Sequence, residues 1–162
     1  MTKKIVAVSL LTALFAGAAT VAKKGSGPKA HDGKPWTVDI EELTLKNGDF
    51  RSAEWTGKSI QLTVMSIEPG GEIGMEKHDE GDQFLRVEKG KARVVMGKER
   101  ERLDFDREVS DDWAILIPAG IWHNVTNTGD TELKVYALYA PPEHPAGTRH
   151  KTAEQAQADH PR

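Results

Sequence analysis

The sequence predicts an all-β fold, a sandwich or barrel, and three observations carry that prediction. Short runs rich in apolar and β-branched residues recur between Ile60 and Tyr139, each stopped by Gly, Pro, Asn or Asp. No helical period of apolar residues runs through that stretch. The chain has 162 residues and no Cys, so it is one domain with appendages whose core must hold without disulfides.

Taken in order, residues 1–22 read as a secretory signal peptide. Lys3 and Lys4 open it, Ile5 to Phe15 is apolar apart from Ser9 and Thr12, and Ala16, Gly17, Ala18 and Ala19 close it. That small-residue end favours cleavage, after Ala18 or Ala22; the alternative is an uncleaved anchor, since Ile5 to Ala22 carries no charge and nearly reaches spanning length. The implied location is periplasmic or secreted, with no stable membrane association after cleavage. Residues 23–35, KKGSGPKAHDGKP, read as a linker. The domain then runs over 36–145 and a C-terminal tail over 146–162.

Inside the domain, Ile60 to Ile67 reads as a strand that ends at Pro69-Gly70-Gly71. Gln83 to Glu88 and Lys91 to Met96 flank Lys89-Gly90 and read as a hairpin. Trp113 to Ile117 is a short strand stopped by Pro118, and Ile121 to Asn127 and Leu133 to Tyr139 follow. The charged stretch Gly97 to Asp112 reads as a solvated excursion. Thr152 to Asp159 has room for one or two helical turns.

Side chains alternate faces along a strand, and that parity picks out the polar residues of interest. Gln83 shares a face with Leu85 and Val87, and His123 shares one with Ile121 and Val125. Both faces are apolar, so both side chains point inward and need a partner. On an extended segment Glu76 and His78 point the same way. Four inward groups then converge: Glu76, His78, Gln83 and His123. Two imidazoles, a carboxylate and an amide suit a borderline divalent metal ion, with Zn, Mn, Fe and Ni all compatible. Such a centre acts as a Lewis acid toward a small-molecule ligand. Catalytic residues are not legible beyond a proton carrier among Glu76 and the loop acids Asp79, Glu80 and Asp82, which otherwise read as solvated.

The same residues resemble the cupin superfamily. Its second motif, Pro-x-Gly-x-x-His-x-x-x-Asn, is met by Pro118, Gly120, His123 and Asn127. Its first is met in frame by Gly71, His78 and Gly90, with Glu76 where a His is expected and Gln83 where a Glu is expected. The segments VDIEELTLKN, DQFLRVEKGKARV, PAGIWHNVTNTG and YAPPEHPAGTRHKT resemble a bacterial subfamily described as mannose-6-phosphate isomerase-like, and the resemblance covers Trp36 to Thr152. It implies a cupin-type double-stranded β-helix, a jelly-roll barrel. It also implies a divalent metal on Glu76, His78, Gln83 and His123, and a homodimer. Cupins span isomerases, dioxygenases, decarboxylases, sugar-binding regulators and storage proteins. The reading is therefore a metal-binding cupin acting as an isomerase or oxidoreductase on a small polar, sugar-like molecule, or holding such a ligand without turnover.

Other residues carry weaker expectations. Net charge is −3 with Lys and Arg scattered, which excludes nucleic acid as a partner. Trp55, Trp113, Trp122 and Phe84 are candidates for a pocket wall, with core packing expected for at least two. Asn127 is expected to bond backbone at its strand end. His144 and His150 are expected to be exposed in the tail, and His31 and His160 have no supporting context.

Overall fold

The computed structural model describes residue 29 and residues 31–159. The signal peptide over 1–22, most of the 23–35 segment and His160 lie outside the described residues.

Among those residues the order is α1 (Ile40–Lys46), β1 (Arg51–Thr56), β2 (Gln61–Ile67), β3 (Asp82–Lys89), β4 (Lys91–Gly97), β5 (Phe105–Ser110), β6 (Ala114–Ile117), β7 (Trp122–Asn127), β8 (Leu133–Ala140), β9 (Arg149–His150) and α2 (Ala153–Asp159). A six-stranded sheet runs β6-β3-β8-β2-β1-β9 and a three-stranded sheet runs β5-β4-β7. Every pairing is antiparallel. The architecture is the all-β jelly-roll expected from the sequence, closed at the end by a short helix.

The two sheets meet over one core. From the six-stranded sheet, Met65, Ile67, Leu85, Val87, Leu133, Val135 and Ala137 face inward. Ala92, Val94, Met96 and Val125 face them from the other sheet. Leu85 and Val87 are fully buried, and each stabilises the fold by about 1.5–3 kcal/mol relative to exposure. This inner row changes character along the strands. At its far end Gln83, Tyr139 and Gln61 stand side by side on β3, β8 and β2. The polar end is where the site lies.

Three local features differ from expectation. The β3 and β4 strands do not form a hairpin: β3 pairs with β6 and β8, and β4 with β5 and β7. Lys89-Gly90 is a corner between sheets. Gly90 has φ of 105°, and a Cβ there would stand 3.2 Å from the Leu133 backbone, so the corner requires glycine. The charged stretch 97–112 contains β5, whose outward Asp106 pairs with Arg93 at 2.6 Å and of which Val109 alone is buried. Helix α1 carries no apolar period in the sequence, because seven residues are too few to show one. Its cue was Asp39, whose carboxylate accepts from the Glu42 N–H at 3.0 Å as an N-cap.

The ends are also tied down. Lys29 pairs with Glu54 at 2.8 Å, His31 bonds the Glu54 carbonyl at 2.7 Å, and the Gly33 N–H bonds Thr56 at 3.0 Å. The described part of the 23–35 segment is thus bonded to β1. At the other end β9 pairs with β1, and α2 buries Ala156 in the core. No helix among the described residues is long and apolar enough to cross a membrane.

Candidate metal centre

Glu76 lies outside the regular strands, yet it is locked to β7. Its N–H donates to the His123 carbonyl at 3.0 Å, and the His123 N–H donates to the Glu76 carbonyl at 2.9 Å. The two residues are thus a bridged antiparallel pair, and their side chains emerge on the same face. His78 follows two residues on. Its carbonyl accepts from the Gly120 N–H at 2.8 Å, so the Pro118–Gly120 turn is fastened directly to the ligand segment. Gly120 has φ of 77°, a left-handed conformation that glycine adopts without strain. Asp82 adds a second tie, accepting from the Ala119 N–H at 2.9 Å.

These ties bring Glu76, His78 and His123 together, with one ligand atom from each lying within 4.8 Å of the others. Glu76 Oε1 stands 3.5 Å from His78 Nε2 and 3.4 Å from His123 Nε2. These gaps are long for charge-assisted hydrogen bonds. They match two ligands of one ion, which stand about 3–3.5 Å apart when each bond is about 2.0–2.2 Å. Glu76 Oε1, His78 Nε2 and His123 Nε2 are all buried without a hydrogen-bond partner. Buried polar atoms are seldom left this way, and a cation shared among them would satisfy all three. The residues present therefore fit a divalent metal.

The ring orientations support the same conclusion. His123 is fully buried, and its Nδ1–H donates to the Ile121 carbonyl at 2.9 Å. A carbonyl oxygen only accepts, so the neutral ring keeps its lone pair on Nε2, toward Glu76. His78 Nδ1 lies 3.3 Å from Glu143 Oε1, which turns its Nε2 inward likewise. Burial opposes ionisation of Glu76, but the two imidazoles and the Arg51 charge outweigh it and hold the carboxyl far below the usual range. For His78 burial again opposes the charged form, while Glu76 and then Glu143 raise the pKa overall.

Gln83 points inward as expected, and both amide atoms are buried without a hydrogen-bond partner. Its link to the triad runs through Tyr139, its partner across the β3–β8 ladder, whose ring meets His78 edge-on at 5.5 Å. Burial pushes the Tyr139 phenol up, well past its ordinary value, so it is neutral.

The centre opens into a cavity of about 270 Å³ lined by Arg51, Lys77, Arg100, Trp122, Glu143 and His144 among others. A larger groove of about 740 Å³ lies elsewhere, beside Phe105, Trp113 and Leu116, and its lining holds no imidazole. The candidate ligands Glu76 and His78 line the smaller cavity.

Several sequence expectations are corrected here. Trp122 alone among the four aromatic candidates lines this cavity. Trp113 is exposed, Trp55 donates to the Lys34 carbonyl at 3.0 Å, and none of the tryptophans joins the buried core. Of the loop acids, Asp79 pairs with Lys77 at 2.7 Å and Asp82 accepts from the Ala119 N–H, and neither stands in the Glu76, His78 and His123 group. His144 and His150 are buried instead of exposed. Gln61 holds His144 by exchanging hydrogen bonds of 2.7 and 3.0 Å with its backbone. His150 pairs with Arg51 across β9–β1. Arg51, Glu143 and His144 were missed as site residues. The one cue was polar Gln61 and Thr63 on the inward parity of β2.

A family model described as Cupin domain matches residues 63–139. The uncharacterized protein YrkC of Bacillus subtilis (strain 168) is 52% identical over 130 residues, which cover 80% of this chain and 70% of YrkC. The crystal structure of BH2720 from Bacillus halodurans superposes with a TM-score of 0.78 at 54% identity, covering 79% of this chain and 97% of that one. An uncharacterized conserved protein with a double-stranded beta-helix domain from Klebsiella pneumoniae gives a TM-score of 0.56 at 19% identity, covering 73% of this chain and all of the other, a likeness of fold alone.

Proposed function

This chain belongs to the cupin superfamily, and we propose that it is a metal-dependent enzyme acting on a small polar molecule, as an isomerase or an oxidoreductase. One observation carries the proposal: three inward ligand atoms, within 4.8 Å of one another, lie buried at a cavity without hydrogen-bond partners of their own. Glu76, His78 and His123 hold the ion, Zn, Mn, Fe or Ni, and Gln83 is the fourth candidate ligand on the same inward row. When bound, the ion supplies Lewis acidity toward a ligand oxygen.

The protein's own groups do the rest. Glu76 stays ionised, so it serves as a ligand and is a poor proton acceptor. Glu143 and His144 stand on the cavity wall and are placed to move a proton to or from a bound molecule. Glu143 also orients His78. Neutral Tyr139 is a hydrogen-bond donor beneath the imidazoles. Trp122 and the α2 residues Ala153 and Ala156 wall the cavity. Resemblance to mannose-6-phosphate isomerase-like chains makes isomerisation of a sugar-like substrate one form of this reading. Export by the 1–22 segment would place the reaction outside the cytosol, where unphosphorylated sugars are the commoner substrates.

Metal-loaded and metal-stripped protein are to be screened against sugars, phosphosugars and catechols, with and without oxygen. Turnover that depends on metal and falls in Glu143→Gln supports the enzyme. Saturable binding with no turnover of any class would replace it with a ligand-holding module.

A further inference from the structure

We propose that Arg51 anchors a ligand carboxylate, so that the site takes small carboxylate anions. This rests on the metal-centre reading and adds the class of molecule that completes it.

Arg51 opens β1 and is only 4% exposed. Its Nη2 lies 3.9 Å from Glu76 Oε2, beyond hydrogen-bond distance, and its Nε is buried without a partner. A Phe50 ring lies 5.7 Å from the guanidinium carbon. A guanidinium carries five donors and stays charged, and burying it with its Nε donor unpaired is costly. Its planar fork matches the two oxygens of a carboxylate.

The guanidinium lines the same cavity as Glu76 and His78, so an anion seated on it sits beside the metal ligands. The other acid of the wall, Glu143, is turned to His78 Nδ1 at 3.3 Å. Arg100 lies over Trp122 at 5.3 Å and adds positive charge to the cavity wall. Lys77 lies over the same ring at 5.5 Å, with its charge offset by Asp79. A cavity of about 270 Å³ restricts the ligand to a small one. A 2-hydroxy carboxylate meets both demands: an anionic fork for Arg51 and a neighbouring hydroxyl toward the ligand triad.

The test is calorimetric titration of the metal-loaded full chain with lactate and with its neutral counterpart lactamide, in wild type, Arg51→Gln and Arg51→Lys. Metal content is measured on each sample. Wild type is expected to prefer lactate by about tenfold or more, as a charge-assisted bidentate pair allows. Arg51→Gln is expected to lose the preference with metal content unchanged. Arg51→Lys, which keeps charge without the fork, is expected to retain only part of it. Equal or absent binding of the two compounds by metal-loaded wild type overturns the proposal. So does a lactate preference undiminished in Arg51→Gln, which would assign the charge selection to the metal or Arg100. Should Arg51→Gln not fold, Arg51→Lys decides, and a preference equal to wild type overturns it. A wild-type chain that holds no metal overturns the underlying metal-centre reading, and this proposal with it.

Discussion

Glu76 and His123 exchange two backbone hydrogen bonds, of 3.0 and 2.9 Å, and their side-chain tips meet at 3.4 Å. One bridge thus fixes both the backbone and the ligand atoms. His123→Ala removes a ligand while leaving the bridge in place. Metal affinity is expected to fall by more than the 10–100-fold typical of a lost outer partner, with the circular dichroism spectrum unchanged. Equilibrium dialysis against a chromogenic chelator checks it.

Glu143 acts on the centre through His78. Glu143→Gln removes the charge that steadies Nδ1–H of that ring and weakens the basicity of Nε2. An affinity loss of about 10–100-fold is expected, smaller than for His78→Ala, with stability of the metal-free chain nearly unaltered. Equal losses in the two variants would show Glu143 to be a ligand itself.

Proton and metal compete for His78. Its folded-state pKa is raised above 6.5, so in the metal-free chain its contribution is fully present below pH 6.5 and is lost as pH rises through the folded value. Glu76 has the opposite sign: its pKa is depressed below 4.5, and its contribution is present above that value and lost as pH falls toward the folded one. Metal must displace the His78 proton, so metal-induced stabilisation should grow from about pH 6 to about pH 8. Thermal melts with and without metal measure it, and a pH-independent increment over that span would contradict it.

Asn127 ends β7, four residues beyond His123, and fastens the turn into β8. Its Nδ2 donates to the Ile67 and Thr131 carbonyls, both at 2.8 Å, and its Oδ1 accepts from the Gly129 N–H at 2.9 Å. The residue is 1% exposed, so Asn127→Ala leaves buried carbonyls unpaired. A loss of about 2–3 kcal/mol in urea unfolding is expected. Metal stoichiometry should be kept, which separates this structural role from that of the neighbouring ligand.

Export is open to direct test. Expressed from Met1, the chain is expected in the soluble periplasmic or secreted fraction with its N-terminus at Ala19 or Lys23, read by mass spectrometry. An uncleaved chain in the membrane fraction would contradict that.

The parts of this molecule legible in the sequence were those written locally. Strand parity turned Gln83 and His123 inward, and the Pro118–Asn127 spacing named the partner of His78. What remained hidden depends on distant chain returning to the site. Arg51 sits in RSAEWT, which has no clean alternation and bulges between Ala53 and Trp55. His144 is placed by Gln61, far away in sequence. Gly90 suits a hairpin and a corner equally, and only the partners of β3 and β4 decide between them.

The central claim is that Glu76, His78 and His123 hold a metal ion. Its most direct test is elemental analysis of the purified chain, wild type beside a His78→Ala, His123→Ala double variant. Near-stoichiometric divalent metal is expected in the wild type and none in the variant, both folded. A wild-type chain free of metal after expression with divalent ions supplied, or metal retained by the double variant, would contradict the claim.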